Sequence, residues 1–368
     1  MLIVDGCRIR SGGGIVHAAE LYKKLSEEKH DAVFYVSKEL AVELESLNGK
    51  LPVFQVGRSN LIQSLFWQRF KLPKIVNSYE NSVLLTLDCA NVCNSKNRIA
   101  IHQDISVFMP KLWFLKSSIK QQIRQIFLFF LNIYTFKRSK LVIFQSEFAR
   151  KITQRYFDCP SVVIPHGVNA WFEDYENKKI VKNKNNLKIS CVSPIFSYKD
   201  YPTVIKACKI LERYFHVDLK ICGSLEDQKE YKKIKKLINK LSLNSKIVFL
   251  GHVNQDEIEY EVSSSDVMIF SSLSETFGIT LLECMQSNTP VLSSSFEVST
   301  KILNNPNTVY EMKDPVDLAF LIKRVVDNKS LSASIVEHQK IRAKDFSWDL
   351  SMSKHLCVIN KQNFTDKV

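Results

Sequence analysis

The sequence has little glycine and little proline, ten of each in 368 residues. That leaves no room for a long low-complexity linker, and no internal repeat is visible. Long apolar runs are missing as well. The longest, "IFLFFLNIYTF" (126–136), has 11 residues, where a spanning helix needs about 20. The N-terminal "MLIVDGCRI" enters a strand-like run directly, so no signal peptide is expected. Nine cysteines occur without a paired metal or redox motif; Cys89 and Cys93 have three residues between them, not two. Most of the others sit in apolar runs such as "KISCVS" and "LKICGS", which suits buried free thiols in a reducing cytoplasm. Acid is the scarcer charge: 38 Asp and Glu face 51 Lys and Arg, a net +13. The window 111–155 holds ten basic residues against Glu147 alone and so carries +9 of that excess. Such a field attracts phosphate-rich partners.

What is present is alternation. Short strand-like runs, "MLIV", "DAVFYVS", "SVLLTL", "RIAIHQ", "KLVIFQS" and "SVVIPHG", are separated by helical patterns. A polar, aperiodic stretch, "EDYENKKIVKNKNN" (173–186), reads as a linker. The alternation then restarts with "LKISCVS", "VDLKICG", "KIVFLG", "DVMIFSS" and "TPVLSSS". The expected fold class is α/β, with two Rossmann-like, doubly wound parallel-sheet domains facing across a cleft. The expected bounds are 1–172, a linker at 173–186, 187–345, and a C-terminal helix at 346–368 returning toward the first domain. In open parallel sheets ligands bind beyond the carboxyl ends of strands, so the chemistry should lie just after them.

It does so in "SETFGITLLEC" (274–284), which follows "DVMIFSS". Ser274 is a candidate helix cap, and Gly278 lets backbone approach a ligand closely. A helix from about Phe277 would aim its first N–H groups at an anion. Glu275 precedes that helix and Glu283 lies two turns inside it. Carboxylates at these positions suit hydroxyl groups rather than phosphate. A ligand with a sugar, a diphosphate and a second sugar fits. On spacing alone, a capping Glu275 and a solvated Glu283 fit equally well.

The E-x-F-G, four residues, E pattern resembles the signature of retaining GT-B glycosyltransferases of family 4. "SGGGIVHAAELYKKL", "QSEFARKITQRYFDCPSVVIPHGVNAWF", "VSPIFSYKDYPTVIKA", "IVFLGHVNQDEI" and the final "FSWD" resemble the family's other motifs in the same order. The resemblance implies a hexose transferred from a nucleotide-diphosphate sugar, used as co-substrate with no cofactor, to a glycan or lipid-linked acceptor in lipopolysaccharide, O-antigen or capsule assembly. It implies that Glu275 binds the donor sugar, Glu283 the ribose, and Lys199 the diphosphate. The backbone of Phe277, Gly278 and Ile279 would face the donor. Gly12, Gly13 and Gly14 would pass close to phosphate and acceptor, and His102 would lie near the reacting sugar. The sequence departs from the family in having Pro194 where an arginine is usual, and "HQD" for the His-Asp pair, with Asp104 as the displaced aspartate. No D-x-D occurs, so no metal is expected.

Aromatic and basic residues mix in "SLFWQRFKLPK" (64–74) and in 111–138. This suggests attachment to an anionic membrane surface from the cytoplasmic side, with 126–131 itself packed on the sheet. Two other classes share some of these features. A GT-B nucleotide-sugar 2-epimerase would need further acids and histidines that have no evident place. A nucleic-acid binder would need a base-reading motif, which is missing.

Overall fold

The computed structural model describes residues 1–364 apart from 11, 48, 57–59, 110–118 and 170–185, and no side chains at 120, 121 and 362–364. The expected linker, except Asn186, and the aromatic-basic stretch 111–118 therefore lie outside the described residues. The chain divides into two compact units, Met1–Gly167 with Ser347–Val368, and Val168–Phe346.

The first unit is built on a parallel sheet of seven strands: β1 Leu2–Gly6, β2 Ala32–Val36, β3 Val53–Gln55, β4 Val83–Thr86, β5 Arg98–His102, β6 Leu141–Phe144 and β7 Ser161–Val163. Their order across the sheet is β3-β2-β1-β4-β5-β6-β7. Strands β1, β4 and β5 are buried along their whole length, which is why they read as continuous apolar runs rather than alternating ones. β3 is a largely exposed edge strand of three residues, too short to stand out in the sequence. Helices Gly13–Glu27 and Trp348–Phe364 cover one face. Trp348, Met352, Leu356 and Ile359 lie on one stripe of the last helix and join Leu21 and Leu25 in the core.

The second unit has six parallel strands: β8 Asn186–Val192, β9 His216–Cys222, β10 Ile247–Gly251, β11 Val267–Phe270, β12 Val291–Ser294 and β13 Val309–Tyr310. Their order is β10-β9-β8-β11-β12-β13. Helices Tyr201–Leu211 and Pro315–Asp327 pack together beside the sheet, burying Val204, Ile205, Cys208, Leu318 and Ile322.

All nine cysteines are free and seven are buried. The run 126–131 does not pack wholly on the sheet, as its composition suggested. Leu128 and Leu131 are buried, but Ile126, Phe127 and Phe130 are exposed, because one helical face cannot bury six consecutive side chains.

Candidate functional site

Each sheet reverses its strand order once, between β1 and β4 in the first unit and between β8 and β11 in the second. At such a point the crossovers leave in opposite directions, and the loops beyond the strand ends part to form a crevice.

In the second unit the loops after β8 and β11 flank this point. The loop after β8 ends in a single turn, Ser197–Lys199, followed by Asp200 in the left-handed region (φ 44°). The loop after β11 runs from Ser271 to Gly278. The two loops are tied together: the Leu273 N–H donates to the Tyr198 carbonyl at 2.7 Å, and the Ser271 hydroxyl to the Lys199 carbonyl at 2.5 Å. Across this seam the Lys199 ammonium donates to Glu275 Oε1 at 2.5 Å, with both side chains largely buried. Lys199 Nζ also lies 5.3 Å from the ring centroids of both Tyr198 and Phe270. Two residues 76 positions apart, singled out from separate motifs, thus form one ion pair at the reversal point.

Gly278 stands at φ 91°, where a side chain would be strained, and opens the helix Ile279–Cys284. Ser274 does not cap this helix; Gly278 occupies the cap position and no side chain caps it. The Phe277 ring is buried and packs edge-on to Phe346. Ile279 is half-buried in the first turn. Glu283 sits on the same helix, between the buried Leu282 and Cys284. Burial raises its carboxyl to about 7. The residue is half-buried, and its carboxylate has no hydrogen-bond partner among the described residues. Pro194 lies where the backbone is tightly held. The Ser193 N–H donates to the Cys222 carbonyl and the Ile195 N–H to Ser224, both at 2.9 Å. Gly223 lies so close that a Cβ there would come within 2.0 Å of the Ser193 carbonyl oxygen.

In the first unit the reversal point opens into a cavity of about 380 Å³ lined by residues after β1, β4 and β5. Gly14 lines it; Gly12, at φ 66°, and Gly13 are exposed at the start of their helix. A Cβ on Gly14 would come within 2.8 Å of the Gln103 side-chain oxygen. Asp104 also lines the cavity, where its carboxylate accepts from the Ser106 N–H at 2.8 Å. His102 is not brought to this opening. It is fully buried, with Phe108, Phe136 and Phe144 rings within 5.1 to 5.8 Å, and Thr153 Oγ1 at 3.3 Å from its Nε2. Burial pushes its pKa down to about 3. The last residue of β5 points into the aromatic core, and Gln103 and Asp104, which follow it, are the ones that line the cavity.

Behind Gly14 lies a feature that composition did not signal. His17 Nε2 is 3.3 Å from His355 Nε2 on the last helix, and the His166 ring is 4.9 Å from that of His17. Gln103 Nε2 lies 3.3 Å from His17 Nδ1. Burial holds all three imidazoles neutral, His166 at about 3 and His355 at about 4, with His17 well below its ordinary range. Their codons lie far apart in the sequence, and only the return of the last helix brings them together.

Comparison with known proteins bears on both units. Residues 172–342 match the family model for glycosyl transferases group 1. An uncharacterized glycosyltransferase of Methanocaldococcus jannaschii, MJ1607, is 33% identical over 201 residues, covering 51% of this chain and 50% of that protein. The O-antigen chain mannosyltransferase RfbU of Salmonella typhimurium is 26% identical over 219 residues, 58% of each chain. The matched regions thus span about half of these curated relatives. Among solved structures, Anabaena Alr3699/HepE in complex with UDP and glucose superposes with a TM-score of 0.75 at 16% identity, over 98% of this chain and all of that one. WaaG, a glycosyltransferase involved in lipopolysaccharide biosynthesis, does so with a TM-score of 0.71 at 12% identity, over 98% and 99%. The chain therefore has the GT-B fold of two doubly wound parallel-sheet domains, and its second unit carries the match to glycosyl transferases group 1.

Proposed function

We propose that the protein is a retaining glycosyltransferase that moves a hexose from a nucleoside-diphosphate sugar to a glycan or lipid-linked acceptor in surface-polysaccharide assembly. The observation that carries this reading is the Lys199–Glu275 pair at the strand-order reversal of the unit that matches the group 1 model. HepE with bound UDP and the mannosyltransferase RfbU support the substrate class.

In this reading the two charges are exchanged when the donor enters. Lys199 turns to the diphosphate and stabilises the charge that develops as the sugar–phosphate bond breaks, beside the first turn of Ile279–Cys284. Glu275 accepts from sugar hydroxyls. Glu283, ionised on contact with the ribose diol, accepts from both of its hydroxyls. The lysine and the helix dipole supply the positive charge, so transfer is expected to persist in a chelator.

Two exposed apolar stripes support attachment to a membrane surface. Ile62, Phe66 and Phe70 form one; Ile119, Ile123, Phe127 and Phe130 form the other. The inner residues of both, Leu61, Leu65, Phe129 and Ile133, pack on one core. Arg69, Lys71 and Lys74 accompany the first stripe, giving the mixed apolar and basic face that an anionic leaflet attracts. No helix among the described residues is long and apolar enough to cross a membrane.

A thermal-shift screen of nucleotide sugars on wild type and Glu275→Ala tests the donor site. One nucleotide sugar stabilises the wild type, and Glu275→Ala loses the preference for it over the bare nucleotide. If no nucleotide sugar shifts the melting point and none is consumed with any acceptor, the reading fails. Flotation with anionic vesicles tests the surface attachment; a protein left at the bottom of the gradient refutes it.

A further inference from the structure

We infer that the cavity at the β1/β4 reversal binds a sugar bearing an acidic group, a phosphate or a carboxylate; that this sugar is the acceptor rests on the transferase reading. Three independent features of the first unit converge on it.

The first is charge. Arg8 is neutralised where it stands, paired to Asp88 at 2.7 Å and donating to the Ala90 carbonyl at 3.1 Å. Arg10 and Arg124 also line the cavity, and neither has an ion pair or hydrogen bond among the described residues. They come from separate elements, one from the loop after β1 and the other from the helix Ile119–Lys137. Two unpaired guanidinium groups facing one opening suit an oxyanion. The second is the helix Gly13–Glu27. It starts at the rim with no side-chain cap and no acid in its first turn, so its positive end is unopposed. The third is Asn132, 2% exposed, which lines the cavity two turns beyond Arg124. Its Nδ2 donates to the Leu128 carbonyl at 2.6 Å, but its Oδ1 is buried with no partner. An unpaired buried amide oxygen is unfavourable, and a ligand hydroxyl would satisfy it. Asp104, whose carboxylate faces the same cavity, repels an anion and accepts from a second hydroxyl. Cations from two elements and two acceptors lining one cavity match neither a bare anion nor a neutral sugar. They match hydroxyls and an acid on one small ring, which a cavity of about 380 Å³ can hold.

Calorimetric titration with glucose 1-phosphate, glucuronate, methyl glucoside and inorganic phosphate tests this on the whole protein. At least one acidic sugar binds, and the better of the two identifies the acid. Arg10→Gln and Arg124→Gln each weaken that binding about tenfold, the worth of one charge-assisted hydrogen bond, and salt weakens it further. Lys29→Gln, exposed just past the far end of the helix Gly13–Glu27, leaves it unchanged. Equal affinity for methyl glucoside, or unchanged affinity in both arginine variants, would overturn the inference. Inorganic phosphate binding as tightly as glucose 1-phosphate would overturn it too, since the hydroxyl acceptors would then contribute nothing. Nucleotide-sugar binding measured on the same variants keeps the two ideas apart. Arginine-dependent binding of the acidic sugar without any nucleotide-sugar binding upholds the cavity and sinks the transferase. The converse result does the opposite.

Discussion

Glu283→Gln should make the protein more stable and a worse enzyme, and the stabilisation should depend on pH. Glu283 has its carboxyl raised from an ordinary 4.5 to about 7 because its helix holds it between buried neighbours. In the unfolded chain the group ionises near 4.5. Between these values the folded state holds a proton that the unfolded state has released, so stability falls as pH rises from 4.5 through 7 and levels off above. A shift of 2.5 units corresponds to about 3 kcal/mol at pH 8 and less than about 1 kcal/mol at pH 5. Glutamine keeps the shape and never ionises, so the variant should gain roughly 2 to 3 kcal/mol more at pH 8 than at pH 5. For a unit of this size that is a rise in Tm of several degrees. Urea unfolding of both proteins at pH 5, 6, 7 and 8 measures it. If Glu283 takes its proposed place at the ribose, the same burial should make nucleotide affinity pH-dependent in the wild type. A ribose diol favours the ionised form, so binding releases a proton and weakens below pH 7, and Glu283→Gln should lack that dependence. A variant equally stable with wild type at all four pH values would refute the reasoning, because Glu283 would then be hydrated and ionise normally.

Three other outcomes follow from the geometry. Lys199→Ala and Glu275→Ala should each lower transfer at least about a hundredfold, while their double-mutant cycle shows a stability coupling of about 1 to 3 kcal/mol; additive stability losses would mean the pair is not formed in solution. Gly223→Ala should cost about 2 to 3 kcal/mol or more in urea unfolding and weaken nucleotide-sugar binding without altering any ligand-facing group, because the Ser193 backbone that leads to Lys199 must move; a neutral result would show that the loop yields freely. Stability should also fall as pH drops from about 6.5 toward 4, where the unfolded chain takes up protons that buried His17, His166 and His355 cannot accept. His355→Gln should flatten that slope by up to one proton in pH-resolved unfolding, and an unchanged slope would place the acid sensitivity elsewhere.

Strands were the most legible part of the sequence. In a parallel sheet covered on both faces the strands are unbroken apolar runs, and "LIVDG" or "VMIF" have no competing reading as surface helix. Edge strands such as Val53–Gln55, with little to bury, were not legible. Lys199 and Glu275 could be singled out because the post-strand rule and the motif coincide: each follows a strand, and β8 and β11 are neighbours. Sequence spacing says nothing of that adjacency, so the ion pair itself could not be foreseen. The placing of His102 was not legible, because a strand's terminal residue can point to either face. Whether it meets ligand or core depends on pleat parity, and here three phenylalanines surround it. Arg10, Arg124 and Asn132 escaped notice for a different reason. A lone surface arginine or a mid-helix asparagine has no distinguishing pattern until the walls of the cavity meet.

The last helix, Trp348–Phe364, completes the first unit, although the whole of the second unit lies between them in the chain. On the ribosome this reverses the usual order of completion. The second unit, Val168–Phe346, is contiguous and has every residue of its core before synthesis reaches Trp348. The first unit, made earlier, must wait with an uncovered groove beside Leu21 and Leu25, and with His17 lacking its partner. During that interval the nascent chain presents a sticky half-domain to chaperones. A stop codon or frameshift late in the gene would therefore damage the domain encoded first.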